Sequence, residues 1–212
     1  MTLAKICGLS TPEAVDAAVA GGAAFIGFVF FAASPRNISP ELAARLAGPA
    51  RRKTKIVALT VDADDALIDR LSRIVQPDLI QLQGRETPAR AHQIALRAGV
   101  GVIKAFGVSE PGDLEAARPF EPVVEHLMFD AKPPAGATRP GGLGAAIDWD
   151  MLQGLKFQRP WLLAGGLDAW NVGDAVRRSG APLVDVSSGV ERGAGLKDPS
   201  LISAFLDAVR RT

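Results

Sequence analysis

What this 212-residue sequence lacks narrows its function before any motif is read. It has one cysteine, two histidines and no tyrosine. One cysteine cannot close an internal disulfide, which suits a reducing, cytoplasmic setting. Two histidines leave little for a His-rich metal site and few partners for a Ser-His-Asp triad. Charge of either sign is not in excess: 24 Lys and Arg stand against 23 Asp and Glu, a net of +1. No global field draws the chain to nucleic acid or to a membrane surface, so neither is expected as a partner. The N-terminal stretch carries Lys5 early and reaches loop residues by Gly8. It is expected to be neither a signal peptide nor a membrane span. A Gly-x-Gly-x-x-Gly turn after the first apolar run is also missing, which counts against a dinucleotide-binding open sheet.

What is present is a repeating alternation. Short apolar runs at 3–7, 25–30, 56–61, 79–82, 102–106, 126–130, 161–164 and 183–186 each precede a helical stretch. Several helices announce their starts, as in Ser10-Thr11-Pro12-Glu13, Ser39-Pro40-Glu41 and Thr87-Pro88. Each combines a capping hydroxyl with proline in the first turn. Helices are expected after the fifth run at 110–118, near 148–154, at 168–179 and at 199–210. Eight βα units without a composition break predict a parallel sheet closed into a single-domain (β/α)8 TIM barrel over residues 1–212. A doubly wound open sheet is the alternative. The Pro/Gly-rich stretch 132–146 reads as a mobile active-site loop, within which Gly141-Gly142-Leu143-Gly144 either closes over the site or is simply flexible.

Parallel strands bury both faces and should be almost wholly apolar. Several are not. Alternate strand residues share a face, so Lys5 and Cys7 lie opposite Ala4 and Ile6. Gln81 and Gln83 lie opposite Ile80 and Leu82, Lys104 opposite Ile103 and Ala105, Asp130 opposite Leu127 and Phe129, and Asp185 and Ser187 opposite Val184 and Val186. If the apolar set covers the helices, the polar set converges on the barrel axis near the strand C-termini, where barrel enzymes place their chemistry. A polar plug of mutually neutralising lysines and aspartates is the plainer alternative. Cys7, at the end of the first strand, is either an inert core thiol, as most free cysteines are, or an acid–base group.

Two glycine-rich turns follow the seventh and eighth strands: Gly165-Gly166 after Ala164, and Ser187-Ser188-Gly189 after Val186. Glycines let backbone N–H groups approach an anion, and barrels often bind phosphate at these two positions. Arg36, in Ser34-Pro35-Arg36, is either a grip for an oxyanion or a solvated surface residue. Asp62, Asp64 and Asp65 read as helix-start caps rather than metal ligands, and no metal site is expected. His92 falls mid-helix. His126 opens the sixth strand at the non-catalytic end. Trp149, Trp161 and Trp170 read as packing residues, and Arg51-Arg52-Lys53 as a solvated turn.

Taken in order, these segments resemble the phosphoribosylanthranilate isomerase family. The resemblance rests on Lys5-Ile6-Cys7-Gly8, Gly27-Phe28-Val29-Phe30 with Ser34-Pro35-Arg36, Gln81-Leu82-Gln83-Gly84, Ile103-Lys104-Ala105, Phe129-Asp130-Ala131, Gly165-Gly166-Leu167 with Asn171-Val172, and Asp185-Val186-Ser187-Ser188-Gly189-Val190-Glu191. It implies a (β/α)8 barrel of tryptophan biosynthesis that performs an Amadori rearrangement on a small phosphorylated substrate without metal or organic cofactor. It implies Cys7 as general base, Asp130 as general acid, Arg36 and Asp185 as contacts near the anthranilate part, and Gly165, Gly166, Ser187, Ser188 and Gly189 as the phosphate site. Two departures stand out. Gln83 occupies a position where the family usually has His, and Thr60-Val61-Asp62 replaces a commoner Phe-Val-Asn. The chemistry implied asks for an Asp130 with a raised pKa and for a cation, Lys5 or Lys104, near the Cys7 thiol. Another phosphosugar-processing barrel enzyme and a non-catalytic phosphate binder are the competing functions. The sequence leaves monomer and homodimer equally open.

Overall fold

The computed structural model describes residues 2–132 and 147–212. The Gly141–Gly144 stretch and most of the expected active-site loop lie outside these residues. Eight parallel strands follow one another around a closed ring: β1 Leu3–Cys7, β2 Phe25–Phe30, β3 Lys55–Thr60, β4 Leu79–Leu82, β5 Gly101–Val108, β6 His126–Ala131, β7 Trp161–Leu163 and β8 Leu183–Val186, with β8 pairing back onto β1. Each strand pairs with its sequence neighbours, as a right-handed βα repeat requires.

The helices that cross outside are α1 Pro12–Ala20, α2 Pro40–Ala47, α3 Asp65–Ile74, α4 Pro88–Ala98, α5 Val172–Ser179 and α6 Pro199–Val209. Their starts follow the local chemistry. Thr11, Ser39, Asp64, Thr87 and Asp198 each accept a hydrogen bond from a first-turn N–H. Each satisfies one of the donors that a helix leaves unpaired at its start. Asp64 is thus a cap, as expected. Asp65 pairs with Arg90 and Arg97 at 2.6 and 2.9 Å. Two described segments between strands are not α-helical. Pro111–Phe120 and Trp149–Leu152 form 3-10 turns. In the first, Gly112 and the internal Pro119 deny the segment a continuous α-helical ladder.

Two apolar layers follow from the strand alternation. Ala4, Ile6, Ile26, Phe28, Ile80, Leu82, Leu127, Phe129, Val184 and Val186 belong to the layer under the helices. Phe25, Val57, Leu79, Ile103, Ala105, Met128, Leu162 and Leu183 fill the barrel interior. At about 25 cal/mol per Å2 of apolar surface removed from water, these two layers are the main favourable term in the fold. Burial of Trp149 and Trp161 agrees with a packing role, but Trp170 is 93% exposed and packs little. His126 is buried at the strand start, edge-on to Phe25 at 5.7 Å. Burial holds its imidazole below the ordinary histidine value. Among the described residues no helix is long and apolar enough to cross a membrane.

After β8 the chain makes a short 3-10 turn, Ser188–Val190, then an antiparallel hairpin of β9 Glu191–Gly193 and β10 Leu196–Lys197. Two strands of 3 and 2 residues carry no alternation, so hydrophobic periodicity does not mark this hairpin. It packs on the loop after β2. A side chain at Gly195 would approach the Pro35 carbonyl oxygen to 2.5 Å.

Candidate active site

The inner face at the strand C-termini gathers Lys5 and Cys7 from β1, Gln81 from β4, Asp130 from β6 and Asp185 from β8. Lys5 is wholly buried and is the register partner of Asp185 in the β1–β8 ladder. Its Nζ lies 2.8 Å from Asp185 Oδ1. Burial pulls the ammonium toward its neutral form, but Asp185 and the Cys7 sulfur outweigh that and hold its pKa above the ordinary lysine value. The next inward position on β1 is Cys7, 3% exposed. Burial pushes its thiol up, the Lys5 charge pulls it back, and Asp185 pushes it up again; the net is raised. The expectation of a lysine beside the thiol therefore holds for Lys5, although burial outweighs it and keeps the resting sulfur protonated.

Room for this pair comes from β2. Gly27 faces it, and a Cβ there would stand 3.2 Å from Cys7 Sγ and 3.3 Å from Lys5 Nζ. A glycine inside a strand marks such a close approach.

Lys104 does not join them. It was expected on the inner face, but Ile103 and Ala105 take that side of β5. Lys104 is paired in register with the outward Leu82. Its Nζ donates to the Gly84 carbonyl at 2.7 Å and pairs with the buried Glu86 at 3.0 Å. A buried ammonium needs acceptors for its donors, and the end of β4 supplies them on the outside of the barrel.

Asp130 stands three strands around the ring from Cys7, by way of β7 and β8. Burial raises its carboxyl first, and the Asp185 charge raises it further. Its own neighbour Ala131 N–H, the Gln83 amide and Lys5 offset part of this, leaving it at about 7. Gln83 Nε2 donates to Asp130 Oδ2 at 3.2 Å, while Gln83 Oε1 accepts from Gln81 Nε2 at 2.8 Å. Gln83 thus gives Asp130 a donor that does not itself titrate.

The two glycine-rich turns come together. Gly165 and Gly166 adopt φ of 90° and 63°, a conformation that glycine enters without a steric penalty. Asn171 Nδ2 holds the Gly166 carbonyl at 2.8 Å. A side chain at Gly189 would meet the Leu167 carbonyl oxygen at 1.9 Å, so the two turns are in direct contact. Gly165, Gly166, Ser187, Ser188 and Gly189 are all half-buried, and Ser187 Oγ donates to the Cys7 carbonyl at 3.2 Å.

Arg36 is 5% exposed and not a solvated surface residue. Its Nε and Nη2 grip the two oxygens of Glu191 at 2.7 and 3.0 Å. Glu191 also receives Lys197 Nζ at 2.6 Å. Burial raises the Glu191 carboxyl, but Arg36 and Lys197 together hold it below the usual glutamate value. Gly27 and Glu191 entered only as members of resembling segments, without a role, and Lys197 was not singled out at all. The Glu191-Arg192-Gly193-Ala194-Gly195-Leu196-Lys197 stretch does carry a glycine-turn signal for a hairpin, and Gly27 interrupts an otherwise bulky strand.

A family described as N-(5'-phosphoribosyl)anthranilate (PRA) isomerase matches residues 4–208. The N-(5'-phosphoribosyl)anthranilate isomerase of Caulobacter sp. (strain K31) is 66% identical over 212 residues, covering 100% of both chains. The crystal structure of phosphoribosyl anthranilate isomerase from Thermotoga maritima superposes with a TM-score of 0.89 at 34% identity over 100% of both chains. A structure of phosphoribosyl anthranilate isomerase in complex with reduced 1-(o-carboxyphenylamino)-1-deoxyribulose 5-phosphate gives a TM-score of 0.85 at 32% identity, again over 100% of both chains.

Proposed function

The chain belongs to the N-(5'-phosphoribosyl)anthranilate isomerase family, and from that premise we propose how its inner-face residues divide the reaction. The protein is an isomerase of tryptophan biosynthesis. It converts N-(5'-phosphoribosyl)anthranilate to 1-(2-carboxyphenylamino)-1-deoxyribulose 5-phosphate, an aldose-to-ketose Amadori rearrangement. The single thiol and the biosynthetic role support a cytoplasmic setting.

Asp130 is the general acid. Its carboxyl, at about 7, still carries a proton near neutrality, and it gives that proton to the ring oxygen as the C1'–O bond breaks. The anilino nitrogen supplies the electron pair and becomes a cationic iminium. The Gln83 amide stabilises the carboxylate left behind, since a donor to an ionised oxygen is worth more than one to a neutral oxygen. The iminium acidifies the C2' hydrogen, and Cys7, as thiolate, removes it. The electrons of the C2'–H bond form the enamine, which tautomerises to the ketose. Two positive charges favour the thiolate at that step: Lys5 and the iminium itself. Asp185 keeps Lys5 charged and in place.

The phosphate sits on the Gly165-Gly166 and Ser187-Ser188-Gly189 turns, and Arg36, with Asp185, faces the anthranilate part. Arg36 carries Glu191 on one edge of its guanidinium, which fixes the plane the substrate meets. The observation that carries the reading is a carboxyl at about 7 and a thiol beside a buried lysine on one inner face. Turnover of phosphoribosylanthranilate, followed by loss of its fluorescence without added metal, tests it. No turnover by the folded protein contradicts it.

A further inference from the structure

Lys197 lies outside every motif that pointed to the site, yet its ammonium is as deeply placed as Lys5. Its side chain is 0% exposed. Burying an ammonium costs several kcal/mol unless its charge and donors are met. Lys197 meets three acceptors: the Ser187 carbonyl at 2.7 Å, Ser187 Oγ at 3.2 Å and Glu191 Oε1 at 2.6 Å. All three of its donors are used, so the ammonium cannot move without breaking a bond.

Two of those three bonds go to Ser187. That residue has φ −128° and ψ −77°, neither helical nor extended, so no regular ladder holds it. It is held by Lys197 on one side, by its own bond to the Cys7 carbonyl on the other, and by the Val190 N–H, which donates to the Ser187 carbonyl at 3.4 Å. The third bond goes to Glu191, which also carries Arg36 and accepts from the Gly195 N–H at 3.1 Å. One carboxylate therefore serves two cations, and although burial holds the Lys197 ammonium below the ordinary lysine value, the three side chains together carry a charge of +1 while it is protonated. That charge lies behind the turn assigned to the phosphate. It also reaches the thiol, since Lys197 is among the cations that pull Cys7 down.

We propose that Lys197 is a positioning residue for substrate binding: it fixes Ser187 at the head of the phosphate turn and, through Glu191, sets the place of Arg36. The inference rests on the reading that the Ser187-Ser188-Gly189 turn receives the substrate phosphate. A purely structural clamp for the hairpin is the competing role. Well-packed apolar residues replace such clamps with little loss, and they would leave binding constants alone.

The two roles separate in steady-state kinetics. Lys197→Met should raise KM for phosphoribosylanthranilate, and the inhibition constant of inorganic phosphate, by about tenfold or more, as expected for losing charge-assisted hydrogen bonds behind an anion site. The value of kcat should fall by less than KM rises, because Lys197 touches no reacting atom and acts on the Cys7 thiol only as the weakest of the charges around it. Lys197→Arg keeps the charge but not the compact three-way geometry; it should show a smaller rise in KM with kcat retained. Unchanged KM and unchanged phosphate inhibition in folded Lys197→Met overturn the proposal. If Lys197→Met does not fold, Lys197→Arg decides: wild-type KM there overturns it equally. Wild-type protein that turns the substrate over but is not inhibited by phosphate would instead remove the assignment of the turn. Wild-type turnover and phosphate inhibition with an intact KM in the variant remove only the role of Lys197.

Discussion

Two lysines in this barrel are buried on opposite sides of the same closed sheet and end in different uses. Lys5 on β1 points inward, meets Asp185 at 2.8 Å and influences the Cys7 thiol. Lys104 on β5 points outward, meets Glu86 at 3.0 Å and donates to the carbonyls of Leu82 and Gly84. Each is an ammonium with a carboxylate partner, and by burial alone they are alike. What separates them is strand parity. The inner side of β1 opens on a thiol and a space left by Gly27, whereas the outer side of β5 meets the loop that follows β4. The same kind of ion pair stands beside the proposed catalytic thiol on one face and fastens a βα loop on the other.

Replacing each lysine by methionine should break the likeness most sharply. Lys5→Met should lower kcat by several hundred-fold, on the order of losing one preorganised electrostatic contact, and should move the Cys7 thiol pKa further up, read by the pH dependence of its alkylation rate. Lys104→Met should leave kcat/KM within about threefold of wild type.

The stability effect runs the other way in emphasis. Lys104→Met strands Glu86 without its cation and should cost about 3 kcal/mol in denaturant unfolding, the usual result of breaking a buried pair from one side. The double replacement Lys104→Met with Glu86→Leu should recover much of that loss. No recovery would contradict a fastening role.

A smaller effect concerns pH. In the proposed mechanism Asp130, at about 7, must be protonated and Cys7, with a raised thiol pKa, must be ionised. The productive form thus holds its proton on the group with the lower pKa. That form is a constant minority between the two values, so kcat/KM should climb as pH rises to about 7, stay level above it, and fall only past the raised thiol value. Gln83→Leu should move the lower limb above 7, because the amide donor it removes lowers Asp130. Its effect on kcat should be a few-fold. An unmoved limb would detach Gln83 from Asp130.

The comparison also shows where the sequence is legible. Parity placed Lys5, Cys7, Gln81, Asp130 and Asp185 on the inner face because each sits against apolar residues that the helices plainly need. It failed at Lys104. There both neighbours, Ile103 and Ala105, are apolar enough to fill the barrel interior themselves, so a polar residue gave no information about direction. The roles of Glu191 and Lys197 escaped notice for another reason. Their side chains meet Ser187 and Arg36 only after a hairpin folds back on the loop after β2, a contact across 155 residues for Glu191 and Arg36 that no local pattern encodes. Arg36 was left open between an oxyanion grip and a solvated surface residue, and its internal carboxylate partner Glu191 was not foreseen. Trp170 shows the converse error: a large apolar residue is usually packed, and here it is exposed at the turn after β7.

The proposed division of labour, Cys7 as base and Asp130 as acid, is open to one decisive paired measurement. Cys7→Ser and Asp130→Asn are assayed for turnover of phosphoribosylanthranilate and, separately, for inhibitor-site binding of inorganic phosphate by titration calorimetry. The account predicts a loss in kcat of about 1000-fold or more in each variant, with phosphate affinity within about threefold of wild type. Turnover retained in either folded variant would contradict it.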